Sequence, residues 1–439
     1  MSAVLPLPLP VKALTDGRKR RSLVAAAVSR SNSILSSHNS APSSLIDLVE
    51  RATDAVAVFE PQLCDDFQKS AQELMELMPC DELAVIILVA RRPPPVPQFR
   101  PDGPVLSFMC TPAVLKQILA ERPNMDPRDL CFELLHRILN GSIHVGRLLV
   151  RQIPLEPAGR DAFTSKLPVA LIMAHRGDPG YLDTALHYLS RTQGNRRVRV
   201  GLDVESPEDY RSLMQHYPDM EFFHAAPAPV GPYVIRQELA GRSSEPLLAL
   251  QDSDDLSCYD RFTALSAEIA ATGCDMIGSH ELRVDEIGQH VVAVRFPLDA
   301  TAALTRQNVF ALLHATLMIK REAFFSAGGL STDQVVANDT QFLMRAFFHC
   351  RIRNVDEFLY IRRRHGRALT MAPETAAGND LRSRLDHQWT EDFEAVKRGE
   401  LALEESSLRP MQSASAYRVE RITLEQLQQR RIPIENNAK

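Results

Sequence analysis

The sequence contains no hydrophobic run long enough to cross a lipid bilayer. Its longest apolar run, residues 83–90, has the length of a β-strand, whereas a membrane-spanning helix needs about 20 apolar residues. The first residues also lack an apolar stretch followed by a small-residue cleavage site, so a cleavable secretion signal is not expected. We therefore expect no transmembrane segment, and any contact with a membrane would be peripheral.

The cysteines show no pairing pattern. There are seven of them, an odd number, and no two have the C-x-x-C spacing. Disulfide frameworks use an even number of cysteines, and they form in oxidising compartments. Scattered, unpaired cysteines fit a reducing environment, and the expected location is the cytoplasm.

An excess of basic residues is also missing. The formal net charge is −5 and the pI is about 6.2, whereas nucleic-acid-binding proteins need positive charge to displace counterions. No nucleic-acid partner is therefore expected. A hydrophobic content of 45% and a charged content of 24% are ordinary for a soluble globular protein, and 439 residues allow two or three domains.

Residues 1–43 have the composition of a disordered tail. They begin with a Pro-rich stretch and continue with arginines and serines, and Asp16 is their only acidic residue. A segment rich in Pro, Arg and Ser and almost without acidic residues is predicted to be flexible. The same composition is also found in organelle transit or secretion-targeting segments, and that alternative stays open.

Residues 44–153 are expected to form a small α+β domain of unknown role. Apolar residues at helical spacing start at Leu45, residues 83–90 predict a strand, residues 91–104 a Pro-rich loop, and residues 131–139 a helix. No catalytic constellation is present here, so a scaffold, interaction or acceptor-binding role is open. A Pro- and Gly-containing linker is predicted over residues 154–166.

From residue 166 to 372, strands and helices alternate. Apolar runs of strand length are separated by amphipathic segments, and this order predicts an α/β domain with a mostly parallel sheet flanked by helices. Residues 373–439 are expected to form a helical C-terminal extension that ends in a solvated arm at 425–431. The predicted strands of the first half lie at residues 169–174, 198–202, 220–223 and 247–250.

Three carboxylates follow the fourth of these strands within four residues, as Asp252, Asp254 and Asp255. In open α/β sheets, ligands bind beyond the carboxyl ends of the strands. Two acids in the pattern Asp-x-Asp can present oxygens to Mg²⁺ or Mn²⁺, and such an ion can hold a phosphate. The structural alternative is a helix start, because Asp and Ser are good caps.

Five elements in this order resemble the family 2 glycosyltransferases, inverting enzymes of the GT-A fold that use nucleotide-sugar donors. The resemblance covers about 200 residues, roughly 166–372. Two departures are Gln237 where the family has Asn, and Asn338 where it has Glu. The matching elements are His175-Arg176 with Ser190-Arg191-Thr192-Gln193, Asp203 after the second strand, Val234-Ile235-Arg236-Gln237, Asp252-Ser253-Asp254-Asp255, and Asn338-Asp339-Thr340-Gln341-Phe342; a softer match is Arg364-His365-Gly366-Arg367.

The resemblance implies roles for individual residues. Asp339 would be the catalytic base, and Mn²⁺ or Mg²⁺ would be held by acids of the Asp-x-Asp motif together with a histidine. The donor, a nucleoside-diphosphate sugar, would contact residues after the first, second and fourth strands and the arginine ahead of the fourth. The metal ligands would be Asp254, Asp252 and His365, and the donor contacts Asp203, Arg236, Asp252 and Arg176.

Each of these residues also has a structural interpretation. Aspartate is common before turns, which would explain Asp203. An acid in the first turn of a helix complements the helix dipole, which would explain Asp339, and Arg176 would be an ordinary loop residue. His365 lies in a cluster of arginines that is either a diphosphate clamp or a solvated basic edge. Residue chemistry therefore leaves both interpretations open.

The implied activity is metal-dependent, inverting transfer of a hexosyl-type sugar to a hydroxyl group of a glycan, lipid-linked or protein acceptor. A catalytically inactive glycosyltransferase-like binding module is the alternative from another class. An Asp-x-Asp phosphatase wants Thr or Val where this chain has Leu256, and a sugar nucleotidyltransferase needs a Gly-rich loop for which Gly177 and Gly180 are too sparse.

Overall fold

The structure is a computed structural model, and it describes residues 23–28, 36–39, 42–92, 100–155, 167–306, 310–334, 336–373, 375–376, 379–412 and 416–429. Two sheets organise these residues, one of six strands and one of eleven. Helices flank both sheets, so the predicted α/β class is confirmed. Most of the predicted linker, residues 156–166, and most of the predicted tail lie outside the described residues.

The strands are numbered along the chain as β1 Val24–Val28, β2 Ser36–Asn39, β3 Ala55–Phe59, β4 Ala84–Ala90, β5 Arg100–Pro104, β6 Ser107–Cys110, β7 Arg147–Ile153, β8 Val169–His175, β9 Arg196–Leu202, β10 Glu221–Ala226, β11 Leu247–Asp252, β12 Leu256–Ser257, β13 Met276–Asp285, β14 His290–Arg295, β15 Met318–Lys320, β16 Ile352–Arg364 and β17 Arg418–Ile422. The helices are α1 Pro42–Arg51, α2 Cys64–Leu77, α3 Pro112–Glu121, α4 Leu130–Leu139, α5 Pro179–Arg191, α6 Arg211–His216, α7 Pro232–Gly241, α8 Arg261–Thr272, α9 Ala300–Thr305, α10 Arg321–Ser326, α11 Asn338–Ala346, α12 Asp380–Lys397 and α13 Leu424–Gln429.

The six-stranded sheet has the order β2-β1-β3-β6-β4-β7 and belongs to what we call the N-terminal unit, the described residues 23–153. Its central strands are buried on both faces and therefore consist of continuous apolar residues rather than alternating ones. β1 pairs with β3 in antiparallel orientation over five residue pairs. The predicted disordered tail is therefore wrong at residues 24–28 and 36–39, because the apolar run of β1 fills a position in the sheet.

The eleven-stranded sheet contains a parallel core in the spatial order β11-β8-β9-β10. β15 is antiparallel to β11, and β13 and β16 complete the far side of the sheet. The strands of the parallel core end in register: Asp252 lies opposite Ala174, and His175 opposite Leu202. This register brings the residues that follow three different strands to one edge of the sheet.

The N-terminal unit is joined to the second sheet by one of its strands and by a buried polar cluster. β5 pairs with β14, so part of the predicted Pro-rich loop is a strand of the second sheet. Arg295, which is 2% exposed, donates to Asp102 at 2.9 Å, to Gln152 at 2.6 Å and to the Ala90 carbonyl at 2.9 Å. His280 lies 3.0 Å from Asp356, which in turn accepts from Gln152. We call this set, Arg295, Asp102, Gln152, His280 and Asp356, the interface network.

The C-terminal residues contain a strand as well as helices. β17 pairs with β10 in antiparallel orientation and becomes the edge of the large sheet. α12 packs against α11 and buries Trp389 and Phe393, and Leu427 of α13 is fully buried. The predicted solvated arm is therefore wrong at Leu427, which packs in the core of the large sheet, whereas Glu425 and Gln426 are exposed as expected; residues 430–439 lie outside the described part.

Within the described ranges, no helix combines the length and the apolar character that a bilayer crossing requires. The seven cysteines are all free thiols, and five of them are buried.

Candidate active site

Acidic and histidine side chains lie at the carboxyl edge of the parallel core. Asp252 ends β11, His175 ends β8, Asp203 follows β9, and His365 follows β16. A turn after β11, in which the Asp255 amide donates to the Asp252 carbonyl at 3.4 Å, turns the three acids toward this edge. The predicted clustering of these residues follows directly from the strand register.

Asp252 is held by helix α7. Its Oδ1 accepts a hydrogen bond from Arg236, and its backbone amide donates to the Tyr360 hydroxyl at 3.1 Å. α7 comes close to the sheet because β9 has Gly201 at the contact: a Cβ there would lie 2.2 Å from Ile235. Burial alone would lower the pKa of Arg236. Asp252 and Tyr233 raise this pKa by more than burial lowers it, so the net pKa is above its usual value. The guanidinium therefore stays charged beside a carboxylate that is 39% exposed.

Asp254 pairs with His365. The Nε2 of His365 lies 2.9 Å from Oδ2 of Asp254, and the His365 ring is buried while the carboxylate is 27% exposed. The rings of Tyr181 and His365 pack in a T-shaped arrangement, with 5.1 Å between their centroids. Among the described residues, Nδ1 of His365 has no hydrogen-bond partner. The structure thus brings Asp254 and His365 together, although they are far apart in sequence.

Asp255 does not cap a helix, which was its structural interpretation. It is 2% exposed, and its Oδ1 accepts from the backbone amide of Arg363 at 2.7 Å. Burial raises its pKa well above the usual value, and the charges of Asp254 and Asp252 raise it too. α8 instead begins at Arg261, after Asp260. Asp255 therefore fixes the acidic turn to β16.

Asp203 holds the loop ahead of α7. One of its carboxylate oxygens accepts from the Val230 amide at 2.7 Å and the other from the Gly231 amide at 2.9 Å. The side chain is 4% exposed. Gly231 has a φ of 93°, a conformation that favours glycine. Asp203 thereby sets the position from which α7 starts.

Asp339 lies in the first turn of α11 and accepts at Oδ1 from the Tyr233 hydroxyl at 2.8 Å. Burial raises its pKa, but His314, the Tyr233 hydrogen bond and the arginines 382 and 236 lower it, and the net pKa is below the usual value. Ala337, two residues earlier, has a φ of 64°, a conformation that costs a non-glycine residue about 1 kcal/mol or more. Asp339 is therefore an ionised carboxylate at neutral pH, held by a strained turn.

Tyr233 and Arg236 join the two groups of acids. They lie three residues apart on α7, so they share one face of the helix, and they donate to Asp339 and Asp252 respectively. Tyr233 was not among the predicted site residues. Its position in the sequence could have indicated it. Tyr233 lies three residues before Arg236, and residues three apart on a helix face the same side, so an arginine that faces the site places Tyr233 there too.

Three further residues of the site were missed or differ from the expectation. Both ring nitrogens of His175 are hydrogen-bonded: Nδ1 lies 2.8 Å from the Ser253 hydroxyl and Nε2 lies 3.0 Å from the Tyr210 hydroxyl. Burial lowers the pKa of His175 to about 4. Arg261 is fully buried and donates to the Leu250 carbonyl at 2.7 Å. Arg176 is exposed in the loop after β8. His175 and Arg261 thus support the turn that carries the acids.

The predicted metal ligands Asp252, Asp254 and His365 do not converge on one point. Asp252 faces Arg236, whereas Asp254 faces His365, and no group of three or more His, Cys, Asp or Glu side chains suited to a metal exists in the described part of the chain. Asp254 and His365 are nevertheless the side chains that would hold an ion, because an oxygen and a nitrogen of ligand type meet at the sheet edge and the carboxylate is 27% exposed. Such an ion would take its remaining ligands from outside these two side chains.

No protein-family model and no curated protein matches the chain. Solved structures that it resembles include residues 1–349 of S. aureus TarS with UDP, at 14% identity over 56% of this chain and 68% of that chain, TM-score 0.41. The same TarS fragment with UDP-GlcNAc aligns at 14% identity over 52% and 73%, TM-score 0.41. The mannosyltransferase PcManGT from Pyrobaculum calidifontis, in complex with GDP-Man and Mn²⁺, aligns at 12% identity over 54% and 66%, TM-score 0.39. Similarity at this level assigns neither residues nor an activity to the chain.

Proposed function

We propose that this protein transfers a sugar from a nucleoside-diphosphate sugar to a hydroxyl acceptor, with metal dependence and inversion at the anomeric carbon. One observation carries the proposal: a single face of α7 contacts both Asp252, at the end of β11, and Asp339, at the start of α11. Displacement with inversion needs one group at the leaving diphosphate and a carboxylate on the opposite side of the sugar, and α7 holds two such acids together.

On the donor side, Asp254 and His365 are assigned to a divalent cation, Mn²⁺ or Mg²⁺. When bound, such an ion neutralises negative charge on the leaving diphosphate. Asp252 is assigned to the donor sugar, where its orientation is fixed by Arg236. Arg236 also balances the charge of the acidic turn, so that the site does not repel the diphosphate.

The nucleobase and diphosphate are assigned to the residues after β8 and β9. Asp203 uses one acceptor position on each oxygen for the loop amides, and a carboxylate has about four such positions. A remaining position would accept from a pyrimidine or guanine imide N–H. Arg176, exposed next to this edge, is assigned to the diphosphate.

On the acceptor side, Asp339 is assigned as the general base. Tyr233 occupies its Oδ1, and Oδ2 would accept the proton of the incoming hydroxyl as the new C–O bond forms and the bond to the diphosphate breaks. General-base catalysis contributes about 10²- to 10⁴-fold. The lowered pKa of Asp339 keeps this carboxylate ionised throughout the physiological pH range.

The decisive experiment is a thermal-shift assay with Mn²⁺ and either UDP or GDP. A ligand at 100 times its Kd stabilises the folded state by about 2.7 kcal/mol, and we expect a rise in melting temperature only when metal and nucleotide are both present. Asp254→Ala should remove the shift, whereas the matched control Asp219→Ala, at an exposed loop residue, should keep it. No shift with either nucleotide contradicts the proposal.

A second measurement separates an enzyme from a binding module. Slow hydrolysis of a panel of nucleotide-sugars, measured as released UDP or GDP, is expected for an active transferase that has water in place of its acceptor. Binding without any hydrolysis or transfer, whatever acceptor is supplied, identifies an inactive module and contradicts the catalytic assignment.

A further inference from the structure

We propose that the N-terminal unit positions the Asp254–His365 pair through Arg363. The N-terminal unit would then be a structural part of the donor site. The contacts run from the end of α4 to Arg363, from Arg363 to Tyr181, and from Tyr181 to His365. This inference rests on the proposed function, because it concerns the residues assigned to the cation.

Arg363 contacts the N-terminal unit at the C-terminus of α4. Its Nη1 donates to the carbonyl of Leu139 at 3.2 Å, the last residue of the helix. The final carbonyls of a helix have no partner within the helix and carry partial negative charge, so a guanidinium is a favourable cap there. α4 is therefore capped by a residue that lies more than 200 positions later in the chain.

A shared carboxylate strengthens this contact. Nη2 of Arg363 pairs with Glu286 at 2.9 Å, and the same carboxylate lies 3.1 Å from Nδ1 of His136, in the last turn of α4. Burial raises the pKa of Glu286, but His136 and Arg363 lower it, and the net pKa is below its usual value. Glu286 is thus ionised between two groups, one from each side of the junction.

On its other side, Arg363 determines where Tyr181 lies. The guanidinium carbon is 4.0 Å from the centre of the Tyr181 ring, and this ring packs on His365 in a T-shaped contact, with 5.1 Å between centroids. The backbone amide of Arg363 also binds Asp255 at 2.7 Å. A planar guanidinium can cap a helix, pair with a carboxylate and stack on a ring at once, whereas an ammonium cannot.

The test compares Mn²⁺ binding in full-length variants, measured by electron paramagnetic resonance titration in the presence of excess UDP or GDP. Loss of a residue that orients a metal ligand lowers affinity by about 10- to 100-fold, and we expect this for Arg363→Lys. Arg398→Lys is the matched control, since Arg398 is exposed in the turn after α12, where it pairs with Glu400, and this variant should bind Mn²⁺ as the wild type does.

Tyr181 variants separate positioning from a general loss of structure. Tyr181→Leu removes the ring between Arg363 and His365 and should weaken Mn²⁺ binding about tenfold or more. Tyr181→Phe keeps the ring and should retain the affinity. Urea unfolding of the metal-free variants gives the stability, and the loss of Mn²⁺ affinity should not follow it across the series.

The inference is overturned if Arg363→Lys and Tyr181→Leu bind Mn²⁺ within twofold of the wild type while Asp254→Ala does not bind it. If Asp254→Ala itself binds Mn²⁺ normally, the cation assignment under the proposed function is wrong, and the two failures are thereby distinguished.

Discussion

The Arg295–Asp102 pair of the interface network and the acids of the candidate active site are both paired charges, but they differ in their exposure to solvent. In the interface network, Arg295 and Asp102 are 2% and 5% exposed, and the guanidinium donates to three different acceptors within 3 Å. In the candidate site, Asp252 and Asp254 retain 39% and 27% exposure although each has a partner.

This difference separates two uses of buried charge. A charge pair that is closed to water contributes to the junction of two sheets, and removal of one partner is costly. A pair that stays partly open keeps oxygen positions for a ligand.

The largest effect is expected for Asp339→Asn. The amide cannot accept the acceptor's proton as a carboxylate does, so the transfer rate should fall by about 10²- to 10⁴-fold. The free energy of unfolding should stay within about 1 kcal/mol of the wild-type value, since the Tyr233 hydrogen bond can still form. Steady-state kinetics and urea unfolding measure the two quantities.

The matched control is Asp333→Asn, an exposed carboxylate on the segment ahead of α11. It should transfer sugar at the wild-type rate. Wild-type transfer by Asp339→Asn, together with inactivity of Asp254→Ala, would show that the base has been misassigned.

Removal of Arg295 should affect stability rather than chemistry. Arg295→Met removes the buried partner of Asp102 and leaves only Arg92, which is 43% exposed and lies 3.2 Å from the carboxylate. Breaking a buried pair costs about 3–5 kcal/mol, and because Arg92 remains, the loss should lie at the lower end of that range. Arg398→Met removes an exposed pair with Glu400 and should leave the free energy of unfolding almost unchanged, because solvent screens such pairs. Urea unfolding measures both, and equal costs would contradict the contrast between closed and open charges.

Tyr233→Phe should lower the transfer rate by about tenfold, because loss of one hydrogen bond to a charged group is worth about 1.5 kcal/mol or more. The Tyr233 hydroxyl is one of the groups that lower the pKa of Asp339, so the acidic limb of the pH–rate profile should move to higher pH. Tyr217→Phe, whose hydroxyl binds Asp183 at 2.8 Å, should leave the profile unchanged.

The smallest effect concerns His280 in the interface network. Its Nδ1 accepts from the Phe296 amide at 3.2 Å, so Nε2 carries the proton that faces Asp356. Burial lowers its pKa below the ordinary 6.5, although Asp356 raises it. The unfolded chain therefore binds a proton first as pH falls, and stability that is present above pH 6.5 is lost below it.

Glutamine does not titrate in this range. The free energy of unfolding of His280→Gln should therefore decrease less between pH 7.5 and pH 5.5 than that of the wild type. His387→Gln, at a histidine that is 75% exposed, should decrease as the wild type does. A steeper decrease in His280→Gln would place the titrating group elsewhere.

The part of the fold that follows from local pattern could be predicted from the sequence. The alternation of strands and helices between Val169 and Asp252 is visible in apolar runs, and the acids after β11 are visible as residues. β1 was missed because its short alanine-rich run lies among arginines and serines, and β17 was missed because its alternating charges have a partner only once β10 is in place.

The site was predictable as a set of residues and not as a set of contacts. Order along the chain placed Asp203, Asp252 and Asp254 at one edge, but it could not show that Arg236 binds Asp252 or that His365 binds Asp254. The first pairing depends on the orientation of α7. The second depends on β16, the strand that precedes His365, and His365 lies 111 residues after Asp254 in the sequence. The contribution of Arg363 depends on the N-terminal unit, which has no motif that links it to the site.

The pairing of β17 with β10 also has a consequence for the newly made protein. Chains fold from the N-terminus as they are synthesised, and β10 is complete long before residues 418–422 leave the ribosome. During that interval its outer row of amides and carbonyls is open, and an open strand edge can pair with another chain. The last strand of the sheet therefore ends a period in which the nascent protein is vulnerable to aggregation.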